Sequence, residues 1–216
     1  MSVLDVGCGT GDDVRAIAEI VGDGGAVRGV DSSAAMIAEA QKRGVPPNVE
    51  FLRADARRLP FPAATYDAIR AERLFQHLSD AQAAAAELRR VSREGARAFV
   101  IDPDWDSLIV GGTEPELTRR ITRALSERLT NPWAGRNARH LLRRAGFRSV
   151  VSSPISASPA LAPAYDLFLS SAIDAAIEAK LVSTEEAARW LEALTDAERR
   201  GEFFCAVMSV ATLATA

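Results

Sequence analysis

The segment Val3-Leu4-Asp5-Val6-Gly7-Cys8-Gly9-Thr10-Gly11 is the most informative stretch of the chain. A short apolar run closes on an acid, and glycines then alternate before a helical pattern begins. This is a strand entering a tight loop, where glycines let the backbone turn and let a ligand approach it closely. Three kinds of ligand suit such a loop. A phosphate-binding loop needs a Gly-Lys-Ser/Thr ending, but Gly11 is followed by Asp12-Asp13. A dinucleotide loop places a third glycine where Asp12 stands, and two acids there repel a pyrophosphate. The remaining reading is a ligand without phosphate at this turn. In that reading a carboxylate at the strand end, Asp5, holds a cationic ammonium directly or through water.

Outward from this loop the first half alternates short apolar runs with helical patterns, the mark of a parallel sheet with crossover helices. The expected elements are a strand at Ser2–Val6, a helix from about Asp13 to Val21 and a strand at Ala26–Asp31. A helix capped by Ser32 or Ser33 then runs to about Arg43. Strands follow at Val49–Arg53 and Tyr66–Ala71, then a helix from Asp80 to about Ser92 and a strand at Ala96–Asp102. Asp31 ends the second strand, where a carboxylate can accept both hydrogen bonds of a ribose diol. Asp55, in Arg53-Ala54-Asp55-Ala56, can accept from an exocyclic adenine amine while a backbone N–H donates to a ring nitrogen. Met36 is placed to pack on the adenine face. Ammonium, ribose and adenine in that order describe S-adenosyl-L-methionine.

Through these residues the sequence is similar to the class I S-adenosylmethionine-dependent methyltransferases. Within that class it resembles the small-molecule enzymes of the ubiquinone/menaquinone-biosynthesis type. The resemblance runs through the glycine loop, Gly29-Val30-Asp31-Ser32-Ser33-Ala34-Ala35-Met36, Ala54-Asp55-Ala56, Leu59-Pro60-Phe61, Tyr66-Asp67-Ala68-Ile69 and His77-Leu78. It covers roughly residues 2–102 and rests on the order of spaced motifs rather than on one glycine string. It implies an α/β fold: a Rossmann-like sheet of seven strands, the last antiparallel, with helices on both faces. It further implies that Asp5, Gly7, Cys8, Gly9, Thr10 and Gly11 surround the methionine part, Cys8 as a small filler. Asp31 and Ser32 would meet the ribose, and Met36, Asp55 and Ala56 the adenine. Glu72 and Arg73 would line the sulfonium side.

Beyond Asp102 only the architecture matches. The patterns predict helices at Thr113–Leu129 and Asn137–Ala145, a strand at Phe147–Ile155, a linker or hinge at Ser156–Pro163, helices at about Ala164–Lys180 and Thr184–Leu194, and a last strand at Phe203–Leu213. Residues 1–155 and 201–216 are expected to form the cofactor-binding core, and 156–200 a helical insertion or lid before the last strand, all in one domain. In the resembling family one or two helices precede the first strand, which here starts at Ser2. An under-covered apolar face beside that strand is therefore expected, and with it a homodimer.

Two side chains are candidates for chemistry. Methyl transfer from a sulfonium needs alignment above all, and a base only for a protonated acceptor. His77, just past the fourth strand, is the candidate base, against the alternative of a histidine bonded to a backbone carbonyl. Asp104, in Asp102-Pro103-Asp104-Trp105-Asp106 after the fifth strand, is a candidate base or acceptor contact. Trp105, Trp133 and Phe168 line an apolar pocket or belong to the core. Arg136, Arg139, Arg143, Arg144 and Arg148 read as a solvated helix face, with an anchor for a substrate carboxylate or phosphate as the alternative. Lys42 and Lys180 are the only lysines, so arginine runs carry little meaning by themselves.

Composition sets the outer bounds. The chain has 216 residues, 48% hydrophobic and 25% charged, with a formal net charge of −3. This is the composition of a globular protein, and its charge disfavours a broad nucleic-acid surface. The position after the fourth strand reads Arg70-Ala71-Glu72-Arg73, without the Asn/Asp-Pro-Pro-aromatic motif of nucleic-acid amino-methylating enzymes. No run suits a membrane span. Two cysteines far apart suggest neither a disulfide framework nor a zinc site and point to a cytoplasmic location. The expected partner is a small-molecule methyl acceptor, with no nucleic acid and no membrane. A non-catalytic cofactor-binding subunit is the alternative from another class.

Overall fold

A computed structural model describes all 216 residues. Seven strands form one sheet in the order β3-β2-β1-β4-β5-β7-β6. They are β1 (Ser2–Val6), β2 (Ala26–Asp31), β3 (Val49–Arg53), β4 (Tyr66–Glu72), β5 (Ser92–Gly111), β6 (Arg148–Ala157) and β7 (Phe204–Thr215). β1 pairs in parallel with β2 and β4, β2 with β3, and β4 with β5. The last strand is antiparallel to β5: Ala216 at the chain end exchanges backbone bonds with Gly95 and Ala96 near the start of β5. The expected sheet is therefore present. The strand order reverses beside β1, which opens a crevice at the carboxyl ends of β1 and β4.

The helices are α1 (Asp12–Val21), α2 (Ala34–Lys42), α3 (Ala81–Val91), α4 (Pro115–Arg128), α5 (Ala134–Arg144), α6 (Leu161–Ala164), α7 (Ser170–Glu178) and α8 (Thr184–Arg199), with a single π turn at Tyr165–Leu169. Their ends follow the local chemistry. Ser33 Oγ accepts from the Met36 N–H to start α2, and Asp80 accepts from the Ala83 N–H to start α3. Pro115 begins α4, where a missing N–H costs nothing. Ser183 and Glu186 close a reciprocal capping box on α8.

The chain divides into two units. The first comprises Met1–Asp102, Gly135–Ser153 and Val210–Ala216. In it α1 and α2 lie on β1–β3, and Val14, Ala18, Ile37 and Ala40 bury against Val3, Val27, Val49 and Phe51. Each larger apolar side chain buried there contributes about 1.5–3 kcal/mol. The second unit comprises Pro103–Ala134 and Pro154–Ser209. Its core gathers Ile121, Leu125, Phe168, Leu169, Leu194 and the fully enclosed Trp190. The Trp190 indole N–H donates to Thr118 Oγ1 at 2.9 Å.

Four expectations change. The second unit includes Pro103–Ala134 and so is larger than the expected 156–200 insertion. β5 continues past Asp102, where the strand was expected to end, to Gly111. Ser156 and Ala157 belong to β6, and α6 starts at Leu161, which leaves only a short connection in place of the linker. Finally, β1 has no under-covered face: Val3, Leu4 and Val6 are 5%, 0% and 1% exposed.

Candidate cofactor site

A cavity of about 650 Å³ opens in the first unit beside the carboxyl ends of β1, β2 and β4. Its floor is the loop that joins β1 to α1. Gly7 and Cys8 donate their N–H groups to the Val30 carbonyl at 2.8 and 3.0 Å, tying that loop to β2. Gly11 has φ +79°, and a Cβ there would stand 2.5 Å from the Phe51 ring, so only glycine suits this end of the loop. Gly9, by contrast, faces open space: nothing lies within 4 Å of the Cβ position. Gly7 and Gly9 line the cavity.

Asp31 sits on the cavity wall at the end of β2. Its Oδ2 accepts from the Gly9 N–H at 3.0 Å and its Oδ1 from the Ser33 N–H at 2.8 Å. Two backbone donors fix the carboxylate, and its remaining lone pairs are free to accept from a ligand. Ser32, Ser33 and Met36 continue the wall, and Met36 is 44% exposed. Across from them lie Ala54, Asp55 and Ala56. The Asp55 carboxylate accepts from the backbone N–H, Nε and Nη2 of Arg57, at 2.9, 3.0 and 2.7 Å for the shortest contacts. These bonds hold Asp55 below the usual carboxylate range. A ligand amine at Asp55 shares it with Arg57, a neighbour that sequence reasoning missed.

Past β4 the wall is built by Glu72, Arg73, Leu74, Gln76, His77 and Leu78. Arg73 has φ +49°, an uncommon conformation for a side-chain-bearing residue. It is secured by the Arg73 N–H bond to the Ile101 carbonyl at 2.8 Å and by Gln76 Nε2 donating to the Arg73 carbonyl at 3.2 Å. The following 3₁₀ turn, Phe75–His77, is held from below by Asp102. Its two oxygens accept from the Phe75 N–H at 3.2 Å and the Gln76 N–H at 3.1 Å. Burial pushes Asp102 up to about 7. His77 projects at the cavity, and partial withdrawal from water together with the Arg73 charge lowers its pKa. Its imidazole is therefore neutral at pH 7, with one ring nitrogen able to accept a proton.

The remaining expected residues lie off this wall. Asp5 is 1% exposed and is paired with Arg70 at 3.1 Å, and burial raises it to about 6. Cys8 is enclosed beside Gly29, and burial and the charges of Asp5 and Asp31 push its thiol up to about 12, so it fills space and is no nucleophile. Thr10 donates to Asp12 at 2.9 Å, and Gly11 packs under Phe51. These residues shape the loop from behind. Asp104 is enclosed in the second unit and does not line this cavity. There Trp105 meets Phe168 edge to face at 6.0 Å, and Trp133 donates to Asp106 at 2.6 Å. The five arginines from Arg136 to Arg148 are exposed.

Comparison with known proteins agrees with this geometry. A family model described as a methyltransferase domain matches residues 3–95. Residues 3–95 are thus similar to a methyltransferase domain. Over its whole length it is 35% identical to an uncharacterized 37.1 kDa protein in transposon TN4556 of Streptomyces fradiae, covering 62% of that protein. Over 61% of its length it is 34% identical to the aklanonic acid methyltransferase DauC of Streptomyces sp. strain C5, covering 61% of it. Over 47% of its length it is 33% identical to the ubiquinone/menaquinone biosynthesis C-methyltransferase UbiE of Hahella chejuensis, covering 42% of it. The chain thus spans about three fifths or less of the length of these relatives. Among solved structures, the YcgJ protein of Bacillus subtilis shares the fold with a TM-score of 0.64 at 18% identity, covering 99% of this chain and 91% of that one.

Proposed function

We propose that this chain is an S-adenosylmethionine-dependent methyltransferase that acts on a small-molecule acceptor with an oxygen, carbon or nitrogen nucleophile. The observation that carries the reading is Asp31, fixed by two backbone N–H groups on the wall of a 650 Å³ cavity at the strand ends. That volume lies within the usual range for small-molecule and cofactor sites. The residues fit S-adenosylmethionine: open space over Gly9 admits a ligand against the backbone, Asp31 suits a ribose diol and Asp55 an adenine amine. The unpartnered, buried Oδ2 of Asp5 adds negative charge behind the loop. When bound, the cofactor supplies a methyl group already activated on sulfur. The chain's residues then mainly orient the partners and exclude water. His77 accepts the proton of an acceptor that arrives as a hydroxyl.

The names of DauC and UbiE, both small-molecule methyltransferases, support the acceptor class, as does the net charge of −3. The buried free thiols of Cys8 and Cys205 suit a reducing compartment such as the cytoplasm. The enclosed β1 removes the motive for a dimer through that strand. Calorimetric titration with S-adenosylmethionine, followed by turnover across a panel of phenols, quinols and amines, tests the proposal. Binding with turnover on a panel member supports it. Absence of binding defeats it, and binding without any turnover favours a cofactor-binding subunit.

A further inference from the structure

Arg70 is the one basic side chain in β4, flanked by the buried Ile69 and Ala71. It stands directly beside Asp5 in the parallel register with β1. Its guanidinium meets three carboxylates. Nη1 donates to Asp5 Oδ1 at 3.1 Å, and Nη2 donates to Asp13 Oδ2 at 2.9 Å and to Glu72 Oε2. Asp5 is a closed anchor, with its side chain 2% exposed, whereas Asp13 is 59% exposed. Of the three acids only Glu72 reaches the cavity wall. Its other oxygen, Oε1, lies 3.9 Å from Arg73 Nε, too far for a hydrogen bond.

Glu72 is thus the acid that this end of the cavity presents to a ligand, and its orientation is set by Arg70. The cofactor carries two positive centres, its ammonium and its sulfonium, so a carboxylate held in a fixed orientation suits it. Without Arg70, Glu72 would lose the partner that fixes its orientation, and the buried Asp5 would lose its only hydrogen-bond donor. We propose that Arg70 is a positioning residue. Anchored on Asp5, it holds Glu72 at the cavity wall and so sets the affinity for the cationic end of the cofactor. This inference rests on the methyltransferase reading above and adds a residue to it.

The test is a double-mutant cycle of S-adenosylmethionine binding by calorimetry on the full chain, with circular dichroism to confirm folding. Arg70→Met and Glu72→Gln each weaken binding roughly tenfold, the worth of one charge-assisted hydrogen bond. The double variant binds no more weakly than Glu72→Gln alone, because Arg70 acts through Glu72. Asp13→Asn, at an exposed acid, stays within about twofold of the parent. Parent-like affinity in Arg70→Met overturns the inference, and so does a double variant that multiplies the two single losses. If Arg70→Met does not fold, the neutral Arg70→Gln takes its place in the same cycle with the same two outcomes. A parent chain that binds no S-adenosylmethionine overturns the cofactor reading itself, a failure separate from that of Arg70.

Discussion

Asp31 and His77 divide the work at the level of single residues. Asp31 is held by Gly9 and Ser33 before any ligand arrives, so its hydrogen bonds to a ligand cost little reorganisation. Asp31→Ala is expected to weaken S-adenosylhomocysteine binding by about 1.5–3 kcal/mol, measured by calorimetry; an unchanged affinity refutes the ribose role. His77→Ala is expected to leave that affinity intact and to lower turnover of a hydroxyl acceptor about 10²-fold or more. Because desolvation and Arg73 lower the His77 pKa, the fall in turnover on acidification sets in below the ordinary imidazole range. A rate profile flat through that region removes His77 as the base. Most of the cavity wall was legible from the sequence, since Asp31, Met36, Asp55, Glu72 and His77 follow strand ends in a fixed order. Arg70 was not. Its side chain matters through the register that sets it beside Asp5, and a residue's own strand does not disclose its neighbour in the next.

The element with most leverage on the site is the 3₁₀ turn at Phe75–His77, and Asp102 controls it. Asp102 accepts from the buried N–H groups of Phe75 and Gln76, so Asp102→Ala removes two hydrogen bonds at about 1 kcal/mol each. Ionisation there is costly as well. The folded Asp102 titrates near 7 against about 3.9 in an unfolded chain, so the folded state holds the extra proton between those values. Its contribution to stability therefore falls as pH rises from about 4 to about 7. Asp5, raised to about 6, acts in the same direction. Thermal melts of the parent and of Asp102→Asn across pH 5–8 separate the two: the difference between them should drift in this window, and a constant difference contradicts the assignment. At this scale β1, β2 and β3 were readable to the residue from apolar runs bounded by turn residues. β5 was not. Asp102-Pro103-Asp104 has the composition of a loop, and tertiary pairing overrides that preference, while the Trp105 N–H finds the Pro132 carbonyl.

For the whole molecule, two units with separate cores imply that stability is not one number. The second core closes on Trp190, which is 1% exposed and bonded to Thr118. Trp190→Ala is expected to cost about 3–5 kcal/mol. Hydrogen exchange should rise first in α4, α7 and α8, whose buried faces share that cluster. Equal acceleration in β1 and β2 would show instead that the chain unfolds as one cooperative block. The sequence placed the sheet strands of the first unit from their alternation with helices. It underestimated the second unit because α4 reads as any amphipathic helix, and nothing in its own pattern says which core it joins.

The buried thiol in the glycine loop also makes the protein its own probe. Cys8 is flanked by two glycines of the cavity wall, and its enclosure keeps it in the unreactive protonated form. A sulfhydryl reagent such as Ellman's can modify it only when that loop springs away from β2. In a Cys205→Ala background, the colour-development rate becomes a clock for loop opening. Saturating S-adenosylhomocysteine should slow that clock, and a rate indifferent to the nucleoside would mean that it docks elsewhere.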